Sequence, residues 1–194
     1  DLKLGNAADF YEARSGSKQK MGDYTGALSD LDKAVSLRPK DMFLLKKRAE
    51  VREHLGDIDG AIADLTLGSE MPGAWANLER ARLYCLSGQF EKAIADFDQC
   101  LLASSPDSRV YLRRALLHEK LGDLKAAAAD YRSYLAFPKH DFSQSHLLRA
   151  FAYKRLDNEA NYAREIAATG KSGYKEQKIE TEIFSKPHAI EVSW

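Results

Sequence analysis

Residues 42–72 read MFLLKKRAEVREHLGDIDGAIADLTLGSEMP. Apolar residues recur at helical spacing on both sides of Gly56. A glycine at this point can adopt the left-handed conformation that closes a helix, and Asp57 can then cap the next helix. Pro72 stops the second helix, because proline lacks the amide donor and clashes with the preceding turn. The stretch therefore predicts two antiparallel helices joined by a tight turn.

The same pattern occurs four times along the chain. The turn glycines are spaced 34, 32 and 34 residues apart, and they are Gly22, Gly56, Gly88 and Gly122. Small and large apolar residues recur in register with them, and a proline follows each copy at Pro39, Pro72, Pro106 and Pro138. Self-similarity with this period indicates a stack of helix hairpins, each of which buries its apolar face against its neighbours.

These four copies resemble the tetratricopeptide repeat family, whose unit of about 34 residues carries small, Gly, Ala, aromatic and Pro positions in this order. The resemblance implies an all-α fold, a right-handed superhelical solenoid of antiparallel helix hairpins. It also implies that the first helix of each hairpin lines a concave groove for peptides or protein segments. The expected divisions are a lead-in at 1–7, repeats at 8–41, 42–73, 74–107 and 108–139, a degenerate fifth repeat or cap at 140–169, and a C-terminal tail at 170–194.

The fifth unit departs from the pattern. Arg149 lies 35 residues after Arg114, but Asp157 replaces the turn glycine, the alanine register slips, and no proline ends the second helix. A terminal repeat meets water on its outer face, so an imperfect unit suits a cap. Residues 170–194 have no repeat signature, and we expect a hinge followed by a tail.

Composition narrows the class of partner. The chain has 194 residues with 29 basic and 29 acidic side chains, so its formal net charge is zero. This balance does not indicate nucleic acid as a partner, and no apolar run approaches the ~18 residues needed for membrane insertion. Cys85 and Cys100 form no CxxC pair and are expected to be free thiols. These two cysteines do not indicate in which cellular compartment the protein is found.

The sequence carries no motif for catalysis. It contains no GxxxxGK[ST], GxGxxG, HExxH or GxSxG pattern. His140 and His146 are six residues apart, a poor spacing for two metal ligands on one helical face. Cys85 has no histidine in register beside it, so an enzyme that uses this thiol, the catalytic alternative, lacks a base. We therefore expect no catalytic residue, no cofactor and no metal.

Two series of opposite charge run in register with the turn glycines. Each glycine is preceded by an arginine and followed by an aspartate at a distance of eight residues: Arg14, Arg48, Arg80 and Arg114, then Asp30, Asp64, Asp96 and Asp130. Residues equidistant from the turn of an antiparallel hairpin lie at the same height. Each guanidinium is thus expected near an aspartate of its own or an adjacent hairpin, as a structural salt bridge between helices. A ladder of anion sites is the functional alternative.

The resemblance assigns the partner-binding groove to the first helix of each repeat. The predicted groove residues are Phe43, Lys46, Lys47, Trp75, Leu78, Arg82, Arg109, Leu112, Arg113, Leu116, Phe151 and Arg155. Aromatic and arginine side chains around apolar centres are typical of binding patches, and they favour an apolar or acidic protein segment. The alternative is that some of these leucines pack between repeats, covered by arginine stems.

Chaperone-binding members of the family hold a C-terminal carboxylate with basic and amide side chains. Lys46, Arg109 and Arg113 match that clamp in charge, whereas Glu50 and Glu79 stand where asparagines are expected. Each of these two carboxylates would repel an incoming carboxylate by about 1 kcal/mol at short range near a surface. We therefore do not expect a receptor for chaperone tails.

Two functional classes follow from these observations. The first is a non-catalytic adaptor or scaffold whose groove binds a segment of a partner protein. The second is a structural solenoid that self-associates through its groove or tail, or that serves as a scaffold domain of a larger chain. Residues 179–184, IETEIF, alternate apolar with acidic or polar side chains, so residues 178–194 can lie against the solenoid and regulate the groove. A free tail or a linker is the alternative.

Overall fold

A computed structural model describes residues 2–69, 75–102, 107–137 and 143–169. Within these ranges the chain forms ten α-helices and no strand. Their bounds are α1 Leu2–Lys20, α2 Tyr24–Leu37, α3 Met42–His54, α4 Ile58–Ser69, α5 Trp75–Leu86, α6 Phe90–Leu101, α7 Arg109–Lys120, α8 Leu124–Ala136, α9 Ser143–Arg155 and α10 Glu159–Ala168.

Helices that follow one another in the chain pack together as hairpins. We call the first helix of each hairpin the A helix (α1, α3, α5, α7 and α9) and the second the B helix. B helices also pack on the next A helix: α2 on α3, α4 on α5 and α8 on α9. The predicted all-α stack of hairpins is confirmed. The chain divides into two compact units, residues 1–100 with three hairpins and residues 101–194 with two.

The four predicted turn glycines all adopt the left-handed conformation, with φ between 74° and 83°. Asp23, Asp57 and Asp123 then accept a hydrogen bond from the amide three residues later, at 2.8–3.0 Å. These carboxylates satisfy amide groups that have no partner within their helix. Gln89 follows the turn glycine of the third hairpin, as these aspartates follow theirs. Its side chain hydrogen-bonds to Ser87 and Lys92.

The fifth turn has the same geometry without a glycine. Asp157 has φ 53°, and the next amide, of Asn158, donates to the carbonyl of Tyr153 at 2.9 Å. The four glycine turns make the equivalent bond at 2.8–2.9 Å. Asn158 caps α10 through the amide of Asn161. Aspartate tolerates the left-handed region better than most residues, so the turn is kept at a modest cost in strain.

The core lies between the A and B helices. Ala27, Ala61, Ala93 and Ala127, which recur in register on the B helices, are buried. They permit the close approach of neighbouring helices, and larger side chains fill the remaining space. In the first unit, Leu31 packs with Val51 and Leu65 packs with Leu83. In the second unit, a cluster around Tyr131 joins α7, α8 and α9.

Substitutions at two glycines test the turn geometry, because they are expected to change the free energy of unfolding in opposite directions. Gly56→Val should lower the free energy of unfolding by about 1 kcal/mol or more, because φ +83° is strained for a β-branched residue. Gly16→Ala should raise it by about 0.5 to 1 kcal/mol, because Gly16 lies within α1 and no atom is within 4 Å of the added Cβ. Urea unfolding measures both. Equal stability of the two variants would contradict the turn geometry.

Candidate functional site

The arginine and aspartate series meet within each hairpin. In each of the first four hairpins, Nε of the arginine donates to one carboxylate oxygen at 2.8–3.0 Å and Nη2 donates to the other at 2.5–2.6 Å. The sequence left open which aspartate each arginine meets. Arg80 binds Asp96 of its own hairpin rather than Asp64.

Burial and pairing act together on these groups. All four aspartates are buried, which penalises a carboxylate unless it is paired. The hydrogen bond from Arg14 lowers the pKa of Asp30 to about 2, with Lys18 adding a second contact at 3.0 Å. The hydrogen bond from Asp96 likewise raises the pKa of Arg80. Because the guanidinium and carboxylate satisfy each other, the geometry is that of a salt bridge between helices.

A fifth pair exists that the sequence reasoning missed. Arg149 and Glu165 are also 16 residues apart, eight on either side of Asp157. Nε of Arg149 lies 3.4 Å from Glu165, and Nδ1 of His146 lies 2.6 Å from the other carboxylate oxygen. Glu165 is buried. The charge register therefore continues where the alanine register slips, and counting eight residues from Asp157 would have found it.

Several arginines also reach the preceding B helix. Nη1 of Arg48 donates to Asp32 of α2 at 3.0 Å, and Nη1 of Arg80 donates to Ser69 of α4 at 2.9 Å. Nη1 of Arg149 donates to the carbonyl of Leu135 in α8 at 3.1 Å. One guanidinium thus ties three helices together.

In the first unit, two predicted groove residues each pair with a glutamate of a neighbouring A helix. We call the side formed by these contacts of α1, α3 and α5 the A-helix face. Lys47 of α3 is paired with Glu12 of α1. Arg82 of α5 bonds to Glu53 of α3 at 2.5 Å and to Glu79 at 3.1 Å. Much of the charge predicted to meet a partner is therefore neutralised within the face.

Phe43 is a large apolar side chain exposed beside these contacts. It lies at the start of α3 and is 60% exposed. The ammonium of Lys47 lies 4.5 Å from the centre of its ring. Lys46 and Leu78 are half-buried. Trp75 begins α5, but its side chain lies outside the described residues.

Three apolar residues of the predicted groove are buried in the second unit. Leu112, Leu116 and Phe151 are buried, in one cluster with Tyr131 and Tyr134. The rings of Phe151 and Tyr131 meet edge to face, with their centres 6.1 Å apart. Burial of these side chains stabilises the unit, so they form core rather than a contact surface. The alternative that the leucines pack inside the stack describes them better.

The arginines of the second unit are also engaged. Arg113 is buried. Asp107 accepts bonds from the side chain of Arg109 at 2.7–3.0 Å and from its backbone amide at 2.9 Å. Burial raises the pKa of Asp107, but the bonds from Arg109 outweigh it, so that pKa lies below its usual value. Arg155 lies over the ring of Phe151 at 5.0 Å.

The described residues contain no group of three or more His, Cys, Asp or Glu side chains that could hold a metal ion. None of the helices in the described ranges is long and apolar enough to cross a membrane. Cys85 and Cys100 are not part of a disulfide, and they are half-buried and buried respectively.

Comparison with known proteins agrees with the repeat pattern. Two family models, each described as tetratricopeptide repeat, match residues 8–41 and 78–142. The chain belongs to the tetratricopeptide repeat family. The resemblance seen in the sequence is thus confirmed. Repeats of this family support a role as a protein-interaction scaffold, and the family and fold are typically non-catalytic.

Individual relatives can be aligned with part of this chain, and the chain spans less than two thirds of the length of the first two. Tetratricopeptide repeat protein 13 of Homo sapiens is 30% identical over 129 residues, which are 66% of this chain and 15% of that protein. Tetratricopeptide repeat protein 36 of Danio rerio is 30% identical over 115 residues, 56% of this chain and 62% of that protein. A tetratricopeptide repeat protein from Parabacteroides merdae superimposes with a TM-score of 0.68 at 21% identity, covering 85% of this chain and 66% of its own. This last likeness shows the fold alone.

A double-mutant cycle tests the ion-pair series. Arg80→Met and Asp96→Asn should be non-additive in the free energy of unfolding by about 1 to 3 kcal/mol, because each single change leaves a buried charge without its partner. Arg80→Met with Asp64→Asn is the control, since Asp64 is bound by Arg48 and Arg52. That pair should be additive within about 0.5 kcal/mol. Equal coupling in both cycles would contradict the pairing.

Proposed function

We propose that this chain is a non-catalytic adaptor that binds an extended or helical segment of a partner protein on the A-helix face of the first unit. The observation that carries the proposal is Phe43, an aromatic side chain that is 60% exposed in a domain of an interaction-scaffold family. Full burial of a phenylalanine contributes about 1.5 to 3 kcal/mol, and aromatic residues commonly carry much of the energy of an interface.

The surroundings of Phe43 suggest the chemistry of the partner. Lys46 and Lys47 lie on the same helix, three and four residues further on, where helix geometry places their side chains next to Phe43. Lys47 already contacts the ring. A segment with an apolar side chain would fill the space over the ring. Acidic neighbours of that side chain would lie beside these ammonium groups with little net gain, because Lys47 already holds Glu12. This agrees with the apolar or acidic partner expected from the sequence.

The second unit is a less suitable place for the same partner. Its apolar side chains in the predicted groove are in the core, and Arg109 is bound by Asp107. An acidic partner would have to displace that carboxylate. Exchanging one ion pair for another near a surface contributes little net free energy.

A peptide library identifies ligands of this face directly. Dodecapeptides displayed on phage are selected on the full chain, and their affinities are measured by fluorescence anisotropy. The selected peptides should combine an apolar residue with acidic neighbours. Phe43→Ala should weaken their binding about tenfold, because the ring is the main apolar contact. Phe10→Ala is the matched control, since Phe10 is 58% exposed on another part of the first unit, and it should change affinity less than twofold.

The result that would overturn this function is equally specific. If the selected peptides bind Phe43→Ala as tightly as the original chain, the A-helix face of the first unit is not the binding surface. Reversing the charges of Arg109 and Arg113 is a poorer test of binding, because Arg113 is buried and its replacement by Glu would destabilise the fold.

The C-terminal tail provides the regulatory part of the proposal. Residues 170–194 lie outside the described residues, so this part rests on the sequence. The stretch IETEIF at 179–184 has the chemistry proposed for the partner, apolar side chains flanked by glutamates. A tethered segment acts at an effective concentration in the millimolar range, so even a weak match is occupied. We propose that the tail, from the same or a neighbouring molecule, competes with the partner.

Removal of residues 175–194 tests this competition. The shortened chain should bind the selected peptides several-fold more tightly than the full chain, because the internal competitor is gone. A synthetic peptide of residues 175–194, added in excess, should restore the weaker binding. Unchanged affinity together with unchanged oligomeric state would leave the tail as a linker.

A further inference from the structure

The lysine beside Phe43 takes part in two contacts at once. The ammonium of Lys47 lies 4.5 Å from the centre of the Phe43 ring, and it also pairs with the carboxylate of Glu12. Glu12 belongs to α1 and Lys47 to α3, so the pair joins two A helices next to the exposed ring. Any group placed over Phe43 therefore approaches a cation that already has a carboxylate partner.

The pair of Glu12 and Lys47 is accessible from outside the fold. The two side chains are 25% and 27% exposed, whereas the four aspartates of the arginine series are at most 7% exposed. An ion pair that water reaches contributes little to stability, in contrast to a buried pair, and one of its members can be exchanged at low cost. A carboxylate of a bound segment can thus reach Lys47, in competition with Glu12.

The other paired cation of the A-helix face is held by two carboxylates. Arg82 bonds to Glu53 at 2.5 Å and to Glu79 at 3.1 Å, so the loss of one glutamate leaves the other in place. Among the described residues, Glu12 is the one carboxylate paired with Lys47. Loss of Glu12 therefore releases a cation beside the Phe43 ring, whereas loss of Glu53 leaves both cations of the face paired.

We propose that Glu12 is a specificity-determining residue of the binding face. By holding Lys47, it limits how strongly the acidic side chains of a partner segment contribute to binding at Phe43. This inference rests on the proposed function, because it concerns the same site. In the original chain, a carboxylate beside the ring replaces one partner of Lys47 by another. Without Glu12, the same carboxylate gains a partner and displaces none.

The alternative is that the pair serves only to join α1 to α3. These two helices are also held through α2, which packs on both of them. One apolar cluster spans the three helices and consists of Tyr11, Ala34, Val35, Leu44 and Leu45. Because this burial joins the helices without the ion pair, we expect the fold to tolerate the replacement of Glu12 by the uncharged Gln.

A pair of matched peptides measures the contribution of acidic side chains. The tightest dodecapeptide from the phage selection is synthesised in two versions, with Glu or with Gln on both sides of its apolar residue. Fluorescence anisotropy gives the affinity of each version for the full chain, and the readout is the ratio of the two affinities. Competition from the chain's own tail lowers both affinities by the same factor, so it cancels in this ratio.

The ratio should depend on Glu12 through Lys47. The two peptides should differ less than about twofold in their affinity for the original chain. For Glu12→Gln, the Glu peptide should bind about three- to fivefold more tightly than the Gln peptide, as expected of an accessible ion pair. Adding Lys47→Gln to that variant should return the ratio to its original value, since the cation is then absent.

Glu53→Gln is the matched control, because it makes the same change in net charge on the same face. Glu53 stands ten residues after Phe43 in α3, about 15 Å along the helix axis. Its replacement should leave the ratio at the value of the original chain. An equal rise in both variants would reveal a general effect of net charge and would overturn the role of Glu12.

The remaining outcomes separate this inference from the proposed function. If binding depends on Phe43 but the ratio is the same with and without Glu12, the role of Glu12 is refuted while the binding face stands. If no selected peptide depends on Phe43, the proposed function fails and this inference fails with it. Circular dichroism and urea unfolding examine Glu12→Gln, and a loss of structure would show that the pair holds the fold together, which would also overturn the proposal.

Discussion

A buried aspartate on each of the first four B helices is the constraint on which those hairpins depend. A carboxylate removed from water is costly unless a cation and hydrogen bonds compensate, and removal of one partner of a buried ion pair typically costs about 3–5 kcal/mol. The A helix supplies an arginine at the same height, whose planar guanidinium binds both carboxylate oxygens. A hairpin that slipped by one residue would break this pairing, so the ion pair fixes the register of the two helices as well as joining them.

The same arginines connect neighbouring hairpins. After two nitrogens have bound the aspartate, Nη1 remains and points to the preceding B helix, where it meets Asp32 or Ser69. The acceptor differs from repeat to repeat while the donor stays the same, so the interface needs only some oxygen at that place.

The sequence predicted features that depend on short, periodic spacing. The turn glycines, their aspartate caps and the height of each arginine relative to its aspartate follow from counting along one hairpin. The exposure of the predicted groove residues could not be counted in this way, because exposure depends on which side chains meet between helices that are distant in sequence. Leu112 and Phe151 occupy register positions of the predicted groove, yet the ring of Phe151 packs on Tyr131, an interaction that no local spacing encodes. The binding of Arg109 by Asp107 was likewise not anticipated, although the two residues are only two apart.

Pairing of charges within the A-helix face affects how such a surface can select a partner. Lys47 and Arg82 each hold a glutamate from a neighbouring A helix. A partner carboxylate gains little by approaching them, because it must replace an existing contact of similar strength. Apolar area carries no such exchange cost, since water leaves both surfaces when they meet. If the proposed partner binds on this face, its selection would depend first on the shape and apolar character of the group placed over Phe43. Charge would act mainly by excluding partners whose approach leaves one of these groups buried without a counter-ion.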